Sequence, residues 1–136
     1  MEPQMNADER RFDRSEMSQL TERVIKCAFT VSNTLGCGFL EKVYENALTH
    51  ELRKAGIQAE QQYGINVHYD GAVVGEYVAD LLVEQCLLVE LKAAKELDDI
   101  HLAQCLNYLK ATKLRLCLLM NFAKPKLEVR RVVNNF

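Results

Sequence analysis

Three charged residues stand where the sequence is otherwise most hydrophobic. Asp80 interrupts Tyr-Val-Ala-Asp-Leu-Leu-Val (77–83), and Glu90 and Lys92 interrupt Leu-Leu-Val-Glu-Leu-Lys (87–92). A charge inside an apolar strand is costly unless it is paired or ligates a cation. Glu90 and Lys92 are two apart, so on a strand they share one face while Leu91 turns to the other. If Glu84-Gln85-Cys86 is a three-residue hairpin loop, Val83 opposes Leu87 and Asp80 opposes Glu90, with Cβ atoms about 5 Å apart. Two carboxylates so close repel, and a hard divalent cation such as Mg²⁺ lets both stay ionised. A two-residue loop would instead turn Asp80 to the opposite face. The alternative is electrostatic bookkeeping of a simpler kind: Glu90 and Lys92 form a strand-end salt bridge and Asp80 caps a turn.

The elements that must position these groups follow from hydrophobic period and turn residues. Met17, Leu20, Val24, Cys27, Ala28, Val31 and Leu35 form one stripe of a helix beginning near Ser15 or Glu16, which Gly36 can end in a left-handed conformation. After Gly36-Cys37-Gly38, a second helix running to Gly56 is expected to bury Leu40, Val43, Tyr44, Ala47, Leu48 and Leu52 and to pack on the first. The period then falls to two: Tyr63, Ile65 and Val67 alternate with Gly64, Asn66 and His68, and Asp70-Gly71 suits a hairpin turn into a strand over 72–83. The run from Cys86 to Lys92 reads as a central strand buried on both faces. A helix over 97–112, a buried strand over 114–122 and an edge strand over 127–133 complete the order ααβββαββ. This is an α/β fold in which helices cover a mixed sheet, with one parallel crossover between 86 and 122. Residues 1–14 lack apolar periodicity and read as a flexible arm preceding a single domain over 15–136.

The chain has 136 residues and a formal net charge of −2, so no global cationic field drives indiscriminate nucleic-acid binding. No apolar run approaches the roughly 20 residues that cross a bilayer and no secretory signal pattern opens the chain, which points to a cytoplasmic protein without membrane contact. The spacing of Cys27, Cys37, Cys86, Cys105 and Cys117 matches no zinc site, and all five read as reduced, mostly buried thiols. His50, His68 and His101 lack metal-ligand spacing and suit surface or capping roles. No glycine-rich phosphate loop or dinucleotide fingerprint appears. Between 110 and 131, seven cations (Lys110, Lys113, Arg115, Lys124, Lys126, Arg130, Arg131) face the single acid Glu128, a local charge of +6 able to contact phosphates.

Asp80 with Glu90-Leu91-Lys92 resembles the signature of the PD-(D/E)XK nuclease superfamily, whose core order α-β-β-β-α-β matches 16–122. Gly38-Phe39-Leu40-Glu41-Lys42-Val43-Tyr44, continued by Glu45-Asn46-Ala47-Leu48, resembles the motif that names the GxxExxY proteins of bacteria, a branch of that superfamily. The resemblance spans about 17–133. It implies a PD-(D/E)XK nuclease-like core, with Asp80 and Glu90 as ligands of Mg²⁺ or Mn²⁺, Leu91 as a ligand through its carbonyl, and Lys92 as the group that orients or activates water. Glu41 matches the acidic residue that some branches place on the first core helix. Gln104-Cys105-Leu106-Asn107-Tyr108 resembles the QxxxY motif of recombination-associated exonuclease domains, which brings Gln104 and Tyr108 beside the site. Ala79 departs from the pattern, which has proline there.

On the second helix Glu41, Tyr44, Glu45 and Leu48 share a face, so Glu41 and Tyr44 can point together at the sheet edge. Glu41 equally suits the positive N-terminal end of its helix without any catalytic role, and Tyr108 equally suits the core with its hydroxyl at the surface. The expected function is metal-dependent hydrolysis of phosphodiester bonds in nucleic acid, DNA first, by a chain that could act as a homodimer. The alternative is a non-catalytic nucleic-acid- or protein-binding module on the same fold.

Overall fold

The computed structural model describes residues 13–134, and the arm expected at the N-terminus falls outside them as far as residue 12. Helix α1 (Arg14–Leu35) starts earlier than its apolar stripe because Asp13 caps it. The Asp13 carboxylate accepts the Glu16 N–H at 2.8 Å and the Glu16 carboxylate accepts the Asp13 N–H at 3.3 Å. Leu20, Val24, Ala28 and Val31 are buried as the spacing predicts. Gly36 ends the helix with φ +72° and ψ −171°, an extended exit rather than the left-handed helical turn expected. The exit carries the Gly36 carbonyl to the Tyr44 hydroxyl, which donates to it at 2.6 Å.

Helix α2 (Glu41–Lys54) is turned about one position from the expected face. Leu40 is 80% exposed and Val43 38%, while Tyr44, Glu45, Leu48, Thr49 and Leu52 are buried. The rotation follows from what Tyr44 and Glu45 touch. Tyr44 stacks on Phe122 with centroids 4.7 Å apart, and Glu45 takes hydrogen bonds from the sheet.

Strands β1 (Ala59–Tyr69), β2 (Ala72–Val83), β3 (Leu87–Lys92), β4 (Leu116–Asn121) and β5 (Glu128–Val133) form one sheet in that order. Only the β3–β4 pair is parallel, joined through helix α3 (Asp99–Thr112). Asp70 and Gly71 both take positive φ, 53° and 80°, as a two-residue hairpin turn requires. Helices lie on both faces. Leu81, Val83, Leu87, Val89, Leu91, Leu118 and Met120 pack with α1 and α2, whereas Leu82, Leu88, Cys117 and Leu119 pack with Cys105 and Leu109 of α3. That is why β3 reads as an unbroken apolar run. Asp98 caps α3 in a box closed by His101, whose Nδ1 accepts the Asp98 N–H at 3.2 Å. Among the described residues no helix is long and apolar enough to cross a membrane.

The alternation of β1 and β2 changes sides midway. Ala59, Leu81 and Val83 join the α1/α2 core, but Tyr63, Ile65 and Ala79 join the α3 core. The register is unbroken across the switch, from Gln61↔Leu81 to Tyr63↔Ala79. Gln62 absorbs the change with φ +55°, a conformation uncommon for a residue with a side chain. The residue facing Gln62 in this register is Asp80.

Candidate active site

The Glu84-Gln85-Cys86 loop has three residues, and Glu84 and Gln85 both take positive φ, 50° and 61°. Val83 therefore pairs with Leu87, Leu82 with Leu88 and Leu81 with Val89. Continued by one step, that register sets Asp80 opposite Glu90. There the backbone ladder gives way to side chains: the Asp80 N–H donates to Glu90 Oε1 at 2.7 Å, and the Leu91 N–H donates to Asp80 Oδ2 at 2.8 Å. The carboxylates are thus fastened in the gap where the strands part. Leu91 buries its side chain in the α1/α2 core.

Burial dominates the electrostatics. Glu90 is 3% exposed, and desolvation followed by the charge of Asp80 pushes its pKa up to about 8. The Asp80 N–H and the Lys92 ammonium oppose that rise only in part. Asp80 is also raised, first by burial, with Glu45 and Glu41 adding repulsion and the Leu91 N–H and Lys92 opposing it. Lys92 is half-buried and makes no direct ion pair with either carboxylate among the described residues. The strand-end salt bridge is therefore absent, and Asp80 lies within a strand rather than capping a turn.

Glu41 comes from the first turn of α2 and reaches the segment after β3, where its Oε2 accepts the Ala93 N–H at 3.2 Å. Tyr44 does not accompany it to the sheet edge. Its ring is fully buried, and its hydroxyl accepts the Phe39 N–H at 3.2 Å while donating to Gly36. The tyrosine thereby fastens the Gly36–Phe39 break and sets where α2 begins. No group of three or more His, Cys, Asp and Glu side chains is assembled for a metal ion among the described residues, and Glu41 reaches the carboxylate pair through its charge, which raises the pKa of both.

From α3, Tyr108 is buried against the α3 core and its hydroxyl donates to the Val78 carbonyl at 3.4 Å, two residues before Asp80. Burial, then the charges of Glu90 and Asp80, push its pKa up to about 12, so it stays a neutral phenol at ordinary pH. Gln104 is half-buried one turn earlier on α3, and its amide is not among the groups bonded to the carboxylates.

Two residues have supporting roles that the sequence reading did not assign. Glu45, one turn after Glu41, is buried and accepts from Gln61 Nε2 at 2.7 Å, Gln62 Nε2 at 2.9 Å and Lys42 Nζ at 3.1 Å. It ties α2 to the side-switch opposite Asp80. Asn121, fully buried at the end of β4 and paired in register with Lys92, donates to the Ala94 carbonyl at 2.8 Å and accepts the Ala94 and Ala123 N–H groups. It holds the turn that presents the Ala93 N–H to Glu41. A polar residue ending the apolar run 116–122 was its signal, of the same kind that marked Asp80.

The basic segment does not form one patch. Lys110 and Lys113 belong to α3 and its C-terminal cap, whereas Lys124 and Arg130 are drawn to Glu128 at 3.4 and 3.1 Å. Adjacent Arg130 and Arg131 on β5 point to opposite faces. None of the five cysteines is in a disulfide, but Cys37 is exposed and Cys27 and Cys86 only half-buried, against the expectation of mostly buried thiols. Burial pushes the Cys27 thiol up, and a hydrogen bond with Cys105 followed by burial does so for Cys117. Neither is a ready thiolate.

A five-stranded mixed sheet flanked by helices, with acidic residues opposed on two central strands and a lysine two residues on, has the architecture of the PD-(D/E)XK nuclease fold. A family model described as the PD-(D/E)XK nuclease superfamily matches residues 18–132, and the chain belongs to that superfamily. Neither the curated proteins nor the solved structures searched gave a match. Nucleases of this superfamily generally use divalent metal ions. The residues present fit such an ion: Asp80 and Glu90 offer carboxylate oxygens, and burial of both, with the charge of Asp80 on Glu90 and those of Glu45 and Glu41 on Asp80, favours a neutralising charge.

Proposed function

We propose that this protein is a Mg²⁺- or Mn²⁺-dependent nuclease that hydrolyses phosphodiester bonds of nucleic acid, DNA first, and that it belongs to the GxxExxY branch. The observation that carries the reading is the pair of half-buried Asp80 and buried Glu90, opposed on β2 and β3 with Lys92 two residues on along β3. Asp80 and Glu90 would hold the cation, with the Leu91 carbonyl and Glu41 as further donors. When bound, the cation supplies Lewis-acid polarisation of the phosphate and lowers the pKa of water. Lys92, whose charge reaches both carboxylates, would orient or activate the attacking water and stabilise negative charge that develops on the phosphate. Tyr108 offers a neutral phenol and Gln104 an amide from α3, so that the α3 side of the site binds without adding negative charge. In the GxxExxY motif itself, Tyr44 fixes the N-terminal end of α2 and Glu41 is the group so placed.

One observation favours a second reading, a nucleic-acid- or protein-binding module without turnover: both carboxylates are already engaged by backbone N–H groups, and among the described residues no third His, Cys, Asp or Glu completes a metal-holding group with them. Labelled single-stranded, duplex and branched substrates incubated with Mg²⁺ or Mn²⁺ separate the two. The nuclease reading expects cleavage that Lys92→Ala abolishes. Cleavage of no substrate supports the second, and cleavage that survives Lys92→Ala counts against the first.

A further inference from the structure

A groove of about 680 Å³ runs between the outer half of the β1–β2 hairpin and α3. His68, Tyr77, Asn107, Tyr108, Lys110 and Lys113 supply its polar and aromatic lining, and none of the residues lining it is acidic. Lys110 and Lys113 are exposed and neither forms an ion pair among the described residues. Tyr77 is 52% exposed and its ring lies 5.9 Å from that of Tyr108. Tyr108 in turn hydrogen-bonds the Val78 carbonyl, two residues from Asp80, so one wall of the groove is tied to the strand that carries the carboxylate site.

The sheet's change of sides creates this arrangement. With strict alternation Tyr77 would share a face with Leu81 and Val83, which pack on α1 and α2. The left-handed turn at Gln62 brings the outer hairpin round instead, so that Tyr77 faces α3. An exposed ring flanked by unpaired cations meets the two requirements of an unpaired nucleotide strand, a platform for a base and counter-charges for its phosphates. A duplex keeps its bases stacked internally and has no use for the platform.

We propose that this groove is a binding track for single-stranded nucleic acid, in which a base stacks on Tyr77 while Lys110 and Lys113 hold flanking phosphates, feeding a strand toward the Asp80–Glu90 site. The inference rests on the nuclease reading for its direction of travel, but binding tests it separately.

Fluorescence anisotropy with a labelled oligothymidylate, in EDTA so that nothing is cleaved, is the experiment. A duplex of equal length and heparin serve as comparison polyanions. Lys110→Glu with Lys113→Glu should weaken single-strand binding more than tenfold, and loss of two phosphate contacts should flatten the log K against log salt slope by about 1.4. Tyr77→Ala should weaken the single strand by roughly five- to 150-fold, as loss of one stacking platform does, and leave heparin unchanged. Equal affinity of wild type and both variants overturns the proposal, as does a Tyr77→Ala effect that is the same for heparin. If wild type cleaves DNA and the lysine variant cleaves it with unchanged KM, the track is wrong and the nuclease reading stands. If the variants lose binding but no form is cleaved, the track stands and the nuclease reading falls.

Discussion

Glu90→Gln removes a charge from a buried site while keeping an amide oxygen that can accept the Asp80 N–H now bound at 2.7 Å. In the metal-free protein the ordinary carboxyl value of 4.5 rises to about 8 on folding. A raised carboxyl pKa means that the folded state binds the proton more tightly than the unfolded chain does. The associated stability is therefore fully present below pH 4.5 and is lost as pH climbs through 8. Each pH unit in that window is worth about 1.4 kcal/mol, so the full span approaches roughly 5 kcal/mol, an upper bound because Asp80 and Lys92 titrate with it. The glutamine has no such loss. Against it stands about 1 kcal/mol for burying an amide N–H₂ with no assigned partner. Glu90→Gln should thus be near neutral or slightly destabilising at pH 4.5 and stabilising by about 2–4 kcal/mol at pH 8.5 in EDTA. For a chain of this length that is a rise in Tm of several degrees. Thermal melts of both proteins across that range are the assay. Adding Mn²⁺ should close most of that gap, since a bound ion stabilises wild type by RT ln(1 + [L]/Kd), about 2.7 kcal/mol at a hundredfold excess over Kd, and the variant should gain far less. A Glu90→Gln protein less stable than wild type at pH 8.5 without metal would refute the reasoning, because it would mean that Lys92 already neutralises Glu90.

Tyr44→Phe deletes the hydroxyl that joins Gly36 and Phe39, and should cost about 1–3 kcal/mol in denaturant melts and speed amide exchange at the start of α2. Asn121→Leu leaves the Ala94 N–H and carbonyl without their partner. It should cost about 2–4 kcal/mol and lower cleavage by loosening the turn that meets Glu41, with amide exchange at Ala93 and Ala94 as the direct measure. Glu45→Ala strips one acceptor from Gln61, which keeps Asn46 Oδ1, and the acceptor of Gln62, and should cost about 1–3 kcal/mol, whereas Glu45→Gln should recover part of that loss in the same melts.

Asp80, Glu90 and Lys92 were legible because a charge in an apolar strand contradicts its surroundings, and the length of the 84–86 loop was enough to oppose two of them. Helix α1 and the Asp70-Gly71 hairpin were legible for the same local reasons, period and turn chemistry. The face of α2 was not. Leu40 and Val43 fit an apolar stripe, but Tyr44 and Glu45 have partners on the sheet that outweigh it, and those partners are far away in the chain. The side-switch at Gln62 was equally hidden. A positive φ at glutamine has no residue-type signal, and the hydrogen bond that accompanies it comes from a helix 17 positions earlier. For Glu41 the helix-end alternative remains compatible with its position in the first turn of α2, and its bond to the Ala93 N–H is what ties it to the site.

Titration calorimetry with Mn²⁺ tests the central claim, that the opposed carboxylates form a cation site, most directly. Wild type and Lys92→Ala should bind the ion with similar affinity, because the lysine is not a ligand, while Asp80→Asn and Glu90→Gln should lose at least tenfold. Equal binding by all four proteins would place the ion elsewhere, and no binding by wild type would contradict the account.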